Sequence, residues 1–334
     1  MKLNFFLKKR AQIFIDYEYQ YTGGPRSFMM NLKKYLESQN FFTTKNINEA
    51  KAIFFATRYY LDKIKFIKER GGAIIQRLDG VYSFEIHGEG YQEIPDYKYA
   101  KEIYQNYTTH YIFQSEYSKK QCVYSYGEPR TSNVFKIING CDTKKFFPSN
   151  KDFDPKAKVK FITDGFIRNL SMIEPMVLAL DEVSKKFNIE LHVIGKVEED
   201  LKKHLDREYI VFHGLKDLDY IAKELRKADI YIFTQLNPPC PNSIIQAVSS
   251  GLPIVTFDSG SMKELLFFNE DLLAPLNNKL FHKNDDINIE SLVEKIFLAI
   301  TDFDKFKSNS LKNSKLYTLS KMGEDYLQIF KQVL

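Results

Sequence analysis

Tryptophan is absent from this chain, and cysteine occurs only three times, at Cys122, Cys141 and Cys240, with no CxxC spacing. An odd set of thiols without short paired spacings makes neither a disulfide framework nor a zinc site, and it suits reduced thiols in a cytoplasmic compartment. No apolar run approaches the ~20 residues of a membrane-spanning helix. The opening MKLNFFLKKR is too short in its apolar part for a signal peptide. Its basic and aromatic character is compatible with peripheral contact at the inner face of a membrane, but a solvated N-terminus is the plainer expectation. A charge of one sign is also lacking: 48 basic and 43 acidic residues leave +5. The basic residues are dispersed, whereas nucleic acid would need a clustered basic face. There is no GxGxxG fingerprint with an acidic ribose partner, which argues against a nicotinamide enzyme. His110, His192, His204, His213 and His282 are scattered without metal spacing, so no metal site is expected.

What is present is a globular composition: 44% apolar residues over 334 positions, enough for two domains with separate cores. Short apolar runs alternate with helical patterns. QIFIDYE (12–18), AIFFAT (52–57), AIIQRL (73–78), HYIFQS (110–115) and VFKII (134–138) read as strands, with helices PRSFMMNLKKYLES and YLDKIKFIKER between them. A second series follows, KVKFIT, LHVIG, YIVFHG, DIYIFT and LPIVTF. Such alternation implies an α/β fold with parallel sheets. The polar stretch SNKDFDPKAK (149–158) reads as the linker between the two series.

The densest signal lies at 228–264. The strand ADIYIFT meets a proline-rich loop, QLNPPCP, which cannot be helical. Asn242 is suited to the N-cap of SIIQAVSS, and Gly251 to its C-terminal end. A loop leading from a parallel strand into a helix N-terminus is where α/β folds hold phosphate-bearing ligands. Asn242, Ser243 and the amides of the first turn suit a diphosphate, and Gln246, one helical turn on from Asn242, suits ribose hydroxyls. The plainer reading is a capped helix packing Ile244, Ile245 and Val248.

PCPNSIIQAVSSGLPIV with DSGSMKELL resembles the donor-binding segment of glycosyltransferase family 4, the retaining enzymes of GT-B fold. FQSEYSKK (113–120), KIINGCDTKKFFP (136–148) and HGLKDLDYIAKELRKADIYIF (213–233) extend the resemblance. It implies two doubly wound Rossmann-like domains facing across a cleft. Residues 1–150 would form the acceptor-side domain, 151–316 the nucleotide-sugar domain, and 317–334 a closing helix that crosses back to the first domain. It implies a metal-independent transferase with no cofactor, taking a nucleotide-diphosphate sugar as donor and a glycan or lipid-linked acceptor. Gly251, Pro253 and Glu264 match the family segment, and Glu264 either contacts the donor or caps its own helix. Two departures stand out. Gln246 replaces the usual second glutamate, and Pro238 the usual first acidic residue. An amide accepts through one atom where a carboxylate accepts through two, so Gln246 should hold ribose less tightly. The arginine and lysine that the family places against the leaving diphosphate fall on Phe166 and Ser171, leaving Arg168 and Lys196 as substitutes.

In the first half, Gly23 and Gly24 sit with Pro25 between the first strand and its helix, where the resemblance places a glycine-rich loop against the donor diphosphate and acceptor; a tight turn is the alternative. In RLDGVYSFEIHGEG (77–90), Arg77, Asp79, Glu85 and His87 gather after a buried strand. Asp79 or His87 could orient or deprotonate an acceptor hydroxyl, against a plainer Arg77–Asp79 contact. Ser115 and Ser118 fit helix capping. The rivals to a transferase are a non-catalytic nucleotide-sugar binder and a GT-B epimerase or phosphorylase.

Overall fold

The computed structural model describes residues 11–19, 23–81, 83 and 87–334. The basic–aromatic opening and Glu85 lie outside the described residues. Two compact units divide the chain: Met1–Asn139 with Leu319–Leu334, and Gly140–Thr318. Residues 149–158 lie within the second unit.

The first unit holds a parallel sheet of six strands, β1 (Ala11–Ile15), β2 (Thr43–Thr44), β3 (Ala52–Ala56), β4 (Ala73–Leu78), β5 (His110–Phe113) and β6 (Val134–Lys136), in the order β2-β1-β3-β4-β5-β6. Alternation along the strands sends side chains to two layers. Ile13, Ile15, Phe54 and Ile75 meet Phe28 and Leu32 of α1 (Gly23–Ser38) together with Tyr326 and Phe330 from the C-terminal segment. Phe14, Ile53 and Ile74 meet Ile64 and Ile67 of α2 (Leu61–Glu69) and Ile103 of α3 (Pro95–Asn106). The first strand stops at Ile15, three residues short of the apolar run. Asp16 ends it, because its Oδ1 accepts the N–H groups of Glu18 at 3.0 Å and Tyr19 at 3.1 Å, which turns the chain. The strand at 110 likewise ends early. Ser115 and Ser118 form a capping box for α4 (Glu116–Tyr126).

The second unit repeats the architecture with β7 (Val159–Asp164), β8 (Ile189–Ile194), β9 (Ile210–Gly214), β10 (Ile230–Phe233), β11 (Ile254–Phe257) and β12 (Leu273–Ala274), in the order β12-β11-β10-β7-β8-β9. Phe161, Leu191, Ile230 and Phe257 of the sheet pack with Leu180 of α5 (Glu174–Ser184), with Ile296 of the helix Ile289–Thr301 and with Phe306 of the helix Phe303–Ser314. α6 (Glu199–His204) and α7 (Leu218–Lys227) follow β8 and β9. The strand order reverses between β7 and β10, where chain connections leave in opposite directions. Such a switch point opens a crevice at the carboxyl ends of the strands.

The last helix, Leu319–Gln332, packs on α1 within the first unit. The Tyr35 hydroxyl donates to Glu324 Oε2 at 3.0 Å. Gly323 leaves room for the Tyr35 ring, since a Cβ there would come within 2.2 Å of it. No helix among the described residues is long and apolar enough to cross a membrane.

Candidate functional site

The β7–β10 switch point is assembled from residues far apart in sequence. β7 ends in Asp164, and β10 carries Tyr231, whose hydroxyl donates to Asp164 Oδ1 at 2.9 Å and accepts the Asp164 N–H at 3.2 Å. Ser243 also hydrogen-bonds the Tyr231 oxygen. A carboxylate, a phenol and the first turn of the following helix thus share one spot. Both Asp164 and Tyr231 are buried. Burial pushes the Asp164 carboxyl up to about 6, against the Tyr231 hydrogen bond, which favours the ionised form.

That helix, α8, spans Asn242–Ser249. Its N-cap is Pro241, not Asn242, and it receives no side-chain cap. The proline is held extended at φ −72°, ψ 127°, so the helix starts one residue earlier than the sequence implies and Asn242 is its first residue. Ile244, Ile245, Ala247 and Val248 are buried, while Asn242, Ser243 and Gln246 remain half-exposed on the opposite face. The far end closes as expected for glycine. Gly251 lies at φ +77°, its N–H reaches the Val248 carbonyl at 2.9 Å, and the Leu252 N–H reaches Ala247 at 3.2 Å.

Arg168 and Lys196 come together. Both are exposed, on the loops after β7 and β8, and both flank the exposed Phe166 ring, at 5.5 Å and 5.8 Å from its centroid. The loops are tied by the Ile167 N–H to the Lys196 carbonyl at 3.1 Å, and Lys196 pairs with Glu198 at 2.8 Å. Their contact depends on two glycines. Gly165 and Gly195 have φ of +145° and +139°, and a Cβ on Gly195 would lie 1.8 Å from the Gly165 oxygen. Glu264 is half-buried in the first turn of the short helix Met262–Leu265, and its carbonyl accepts from the Tyr317 hydroxyl at 3.2 Å.

Sequence reasoning missed how the proline loop is fixed. Asn237, at φ +59°, is buried and bonds in both directions with His282: its Nδ2 to the His282 carbonyl and the His282 N–H to its Oδ1, both at 2.8 Å. The Asn237 N–H donates to Ser259 Oγ at 2.9 Å, and Ser259 Oγ lies 3.0 Å from His282 Nδ1. His282 Nε2 meets the Asn277 carbonyl at 2.7 Å, so it carries the proton and Nδ1 accepts from the serine. Pro238 is buried, and a Cβ on Gly260 would come within 2.5 Å of it, so this position is given to packing. Removing the hydroxyl with Ser259→Ala strands two buried partners at once. We expect a loss of about 1–3 kcal/mol in urea unfolding; an unchanged midpoint would show that the loop does not depend on this chain of bonds.

The first unit's candidates occupy separate places. Asp79 follows β4 with its carboxylate fully engaged. Oδ1 accepts from Arg77 and Gln114, and Oδ2 from Thr57 at 3.1 Å. Arg77 is 1% exposed, stacks on Phe28 and donates to Asn139 Oδ1 at 2.9 Å. The Arg77–Asp79 contact is therefore part of a polar cluster that joins the carboxyl ends of β3, β4 and β5. His87 is exposed, with Nδ1 3.3 Å from both the N–H and the carbonyl of Ser83. Gly23 and Gly24 are not a loop ahead of the helix but the first residues of α1, which begins two residues before Pro25. The three cysteines are buried thiols.

Residues 161–299 match the family model described as Glycosyl transferases group 1. The matched segment is similar to that family. It contains the switch point, both cationic loops and α8. No curated protein matches the sequence. Among solved structures, Anabaena HepE in complex with UDP and glucose is similar at a TM-score of 0.69, with 13% identity over 96% of this chain and 99% of that one. The sucrose-phosphate synthase from Thermosynechococcus elongatus gives 0.65, with 13% identity over 94% and 80%. The GtfA/B complex gives 0.63, with 17% identity over 84% of this chain, which spans 57% of that one. At these identities the likeness is one of fold, and this chain shares it along most of its length.

Proposed function

We propose that the chain is a retaining, metal-independent glycosyltransferase that moves a sugar from a nucleotide-diphosphate donor to a hydroxyl of a glycan or lipid-linked acceptor. The observation that carries this reading is the helix N-terminus at the β7–β10 switch point, inside the matched domain, with Asn242, Ser243 and Gln246 on its half-open face. The first-turn amides and the positive end of the helix would receive the diphosphate. The Gln246 amide would hold ribose hydroxyls. Arg168 and Lys196 are the cations that would neutralise the departing diphosphate, where charge develops in the transition state. Two relatives by fold are described with UDP, one with glucose and one with N-acetylglucosamine, so UDP-sugars are the donors to try first.

Calorimetric titration with UDP-glucose and UDP-N-acetylglucosamine tests the donor site, and the anomeric configuration of any product tests retention. Gln246→Glu should tighten donor binding by about fivefold, because a charge-assisted bond replaces a neutral one. Unchanged affinity and turnover would remove Gln246 from the site. A second reading, a nucleotide-sugar binder without turnover, is favoured by Pro238 and Gln246 together, which replace both carboxylates of the family pattern. Binding without product across a panel of acceptors would support it.

A further inference from the structure

Across β8, β9 and α7 of the second unit, four side chains form a single hydrogen-bonded row that the proposed chemistry does not use. Glu190 Oε2 lies 2.8 Å from His192 Nε2, His192 Nδ1 lies 2.8 Å from His213 Nε2, and His213 Nδ1 lies 2.8 Å from the Tyr220 hydroxyl. The two imidazoles are stacked, with centroids 5.0 Å apart and planes 15° from parallel. His213 owes its position to a slip in register. Val193 pairs with Phe212 but Ile194 pairs with Gly214, so β9 passes over His213, as in a bulge that re-aims a side chain.

With both imidazoles neutral, the row is satisfied in one direction only. Tyr220 donates to His213, His213 to His192, and His192 to Glu190. One added proton is also accommodated. His192 then donates from both nitrogens, to Glu190 and to His213, and His213 turns its own proton toward Tyr220. A second proton is not, because two N–H groups would face each other across 2.8 Å. The charges around the pair do not relieve this. Glu190 already serves His192 and is shared with Lys158, and His213 has Glu224 balanced by Lys216 and Lys227. Burial, and then the charge of His192, hold the His213 imidazole below its ordinary value.

We propose that the His192–His213 pair is a pH-operated catch on the loop that carries Lys196. The connection is short: Gly214, next to His213, accepts the Gly195 N–H at 2.9 Å, and Lys196 follows Gly195. When the second proton arrives, the pair separates, β9 loosens at its free edge, and the Gly195–Lys196 turn loses its support. The consequence for catalysis rests on the reading of Lys196 as a leaving-group cation. The catch itself does not.

Hydrogen exchange read by mass spectrometry, without any donor, tests it. Peptides covering 191–199 and 209–217 are compared at about pH 5 and about pH 7.5 after correction for intrinsic rates. In the wild type both segments should exchange about fivefold faster at the lower pH, the factor expected for one lost hydrogen bond. In His213→Gln the difference should vanish. In Glu190→Gln, which removes the charge that favours the first proton, the onset should move to lower pH, and this variant carries the test if His213→Gln does not fold. Equal behaviour of the wild type and the variants, or loosening of 209–217 that never reaches 191–199, would overturn the proposal. UDP titration at the higher pH reads the donor site separately, so failure of the donor reading leaves the exchange result intact.

Discussion

Gly195→Ala is expected to be the most damaging single substitution in the second unit. The new Cβ would meet the Gly165 carbonyl oxygen at 1.8 Å, at a backbone φ of +139° that alanine rarely adopts. Neither obstacle can be relieved by turning a side chain, because both partners are main chain. The cost should reach on the order of 4 kcal/mol or more, beyond the usual range for point changes. The loops that part are those holding Arg168 and Lys196 beside Phe166. Whatever fraction folds should therefore bind UDP poorly. Denaturant unfolding followed by UDP titration of the folded fraction checks both halves. A variant with wild-type stability and affinity would mean that the Gly165–Gly195 contact is not a constraint.

The second large effect concerns Asp164. Its carboxyl titrates near 6 in the fold, against 3.8 for the group in its ordinary state. Between these values the folded protein holds a proton that the unfolded chain has released. Stability contributed by this group is therefore complete below about pH 4 and declines as pH rises to about 6, by roughly 3 kcal/mol in all. Above that the buried charge is a standing penalty. Asp164→Asn keeps an acceptor for Tyr231 and removes the charge, so it should raise stability at pH 8 by roughly 1–3 kcal/mol, the range allowing for a new amide that needs partners. The gain should disappear by about pH 4. If the donor binds beside Asp164 as proposed, wild-type affinity for a UDP-sugar, whose diphosphate does not titrate in this range, should also rise as pH falls from about 7.5 to about 6, before the His192–His213 pair takes its second proton, and the variant should lose that rise. A variant less stable than the wild type at both ends of the range would show that the carboxylate is compensated by something other than Tyr231.

Much of the architecture was legible because parallel strands buried on both faces read as continuous apolar runs. The runs at 52–57 and 73–78 match β3 and β4 closely. The two-residue edge strands Thr43–Thr44 and Leu273–Ala274 carry no such signal. Ends were harder to read than middles. Asp16 turns the chain while the apolar pattern still continues, and Pro241 takes the cap that Asn242 is better suited to by type. Within the site, the half-exposed triplet on α8 follows from helical spacing alone. The Asp164–Tyr231 bond joins residues 67 positions apart, and Asn237 meets His282 across 45. Their one local trace was an acid before a glycine at the end of an apolar strand. Asp79 shows the same divide. Its contact with Arg77 could be read from adjacency, but Thr57 and Gln114, which occupy the rest of the carboxylate, arrive only when three strands align.

The helix Leu319–Gln332 gives the order of synthesis a bearing on how the molecule is made. Tyr326 and Phe330 are fully buried against Phe28 and Phe54, so the first unit is built from the two ends of the chain. Between those pieces the ribosome must produce residues 140–318, the whole of the second unit. At ordinary elongation rates this takes on the order of ten seconds or more. During that interval the sheet of the first unit has an apolar face waiting for its last helix, while the second unit, contiguous in sequence, can close at once. The unit that starts first is therefore finished last. In the cell, the interval of greatest exposure to chaperones and to misassociation belongs to the surface around Phe28 and Phe54.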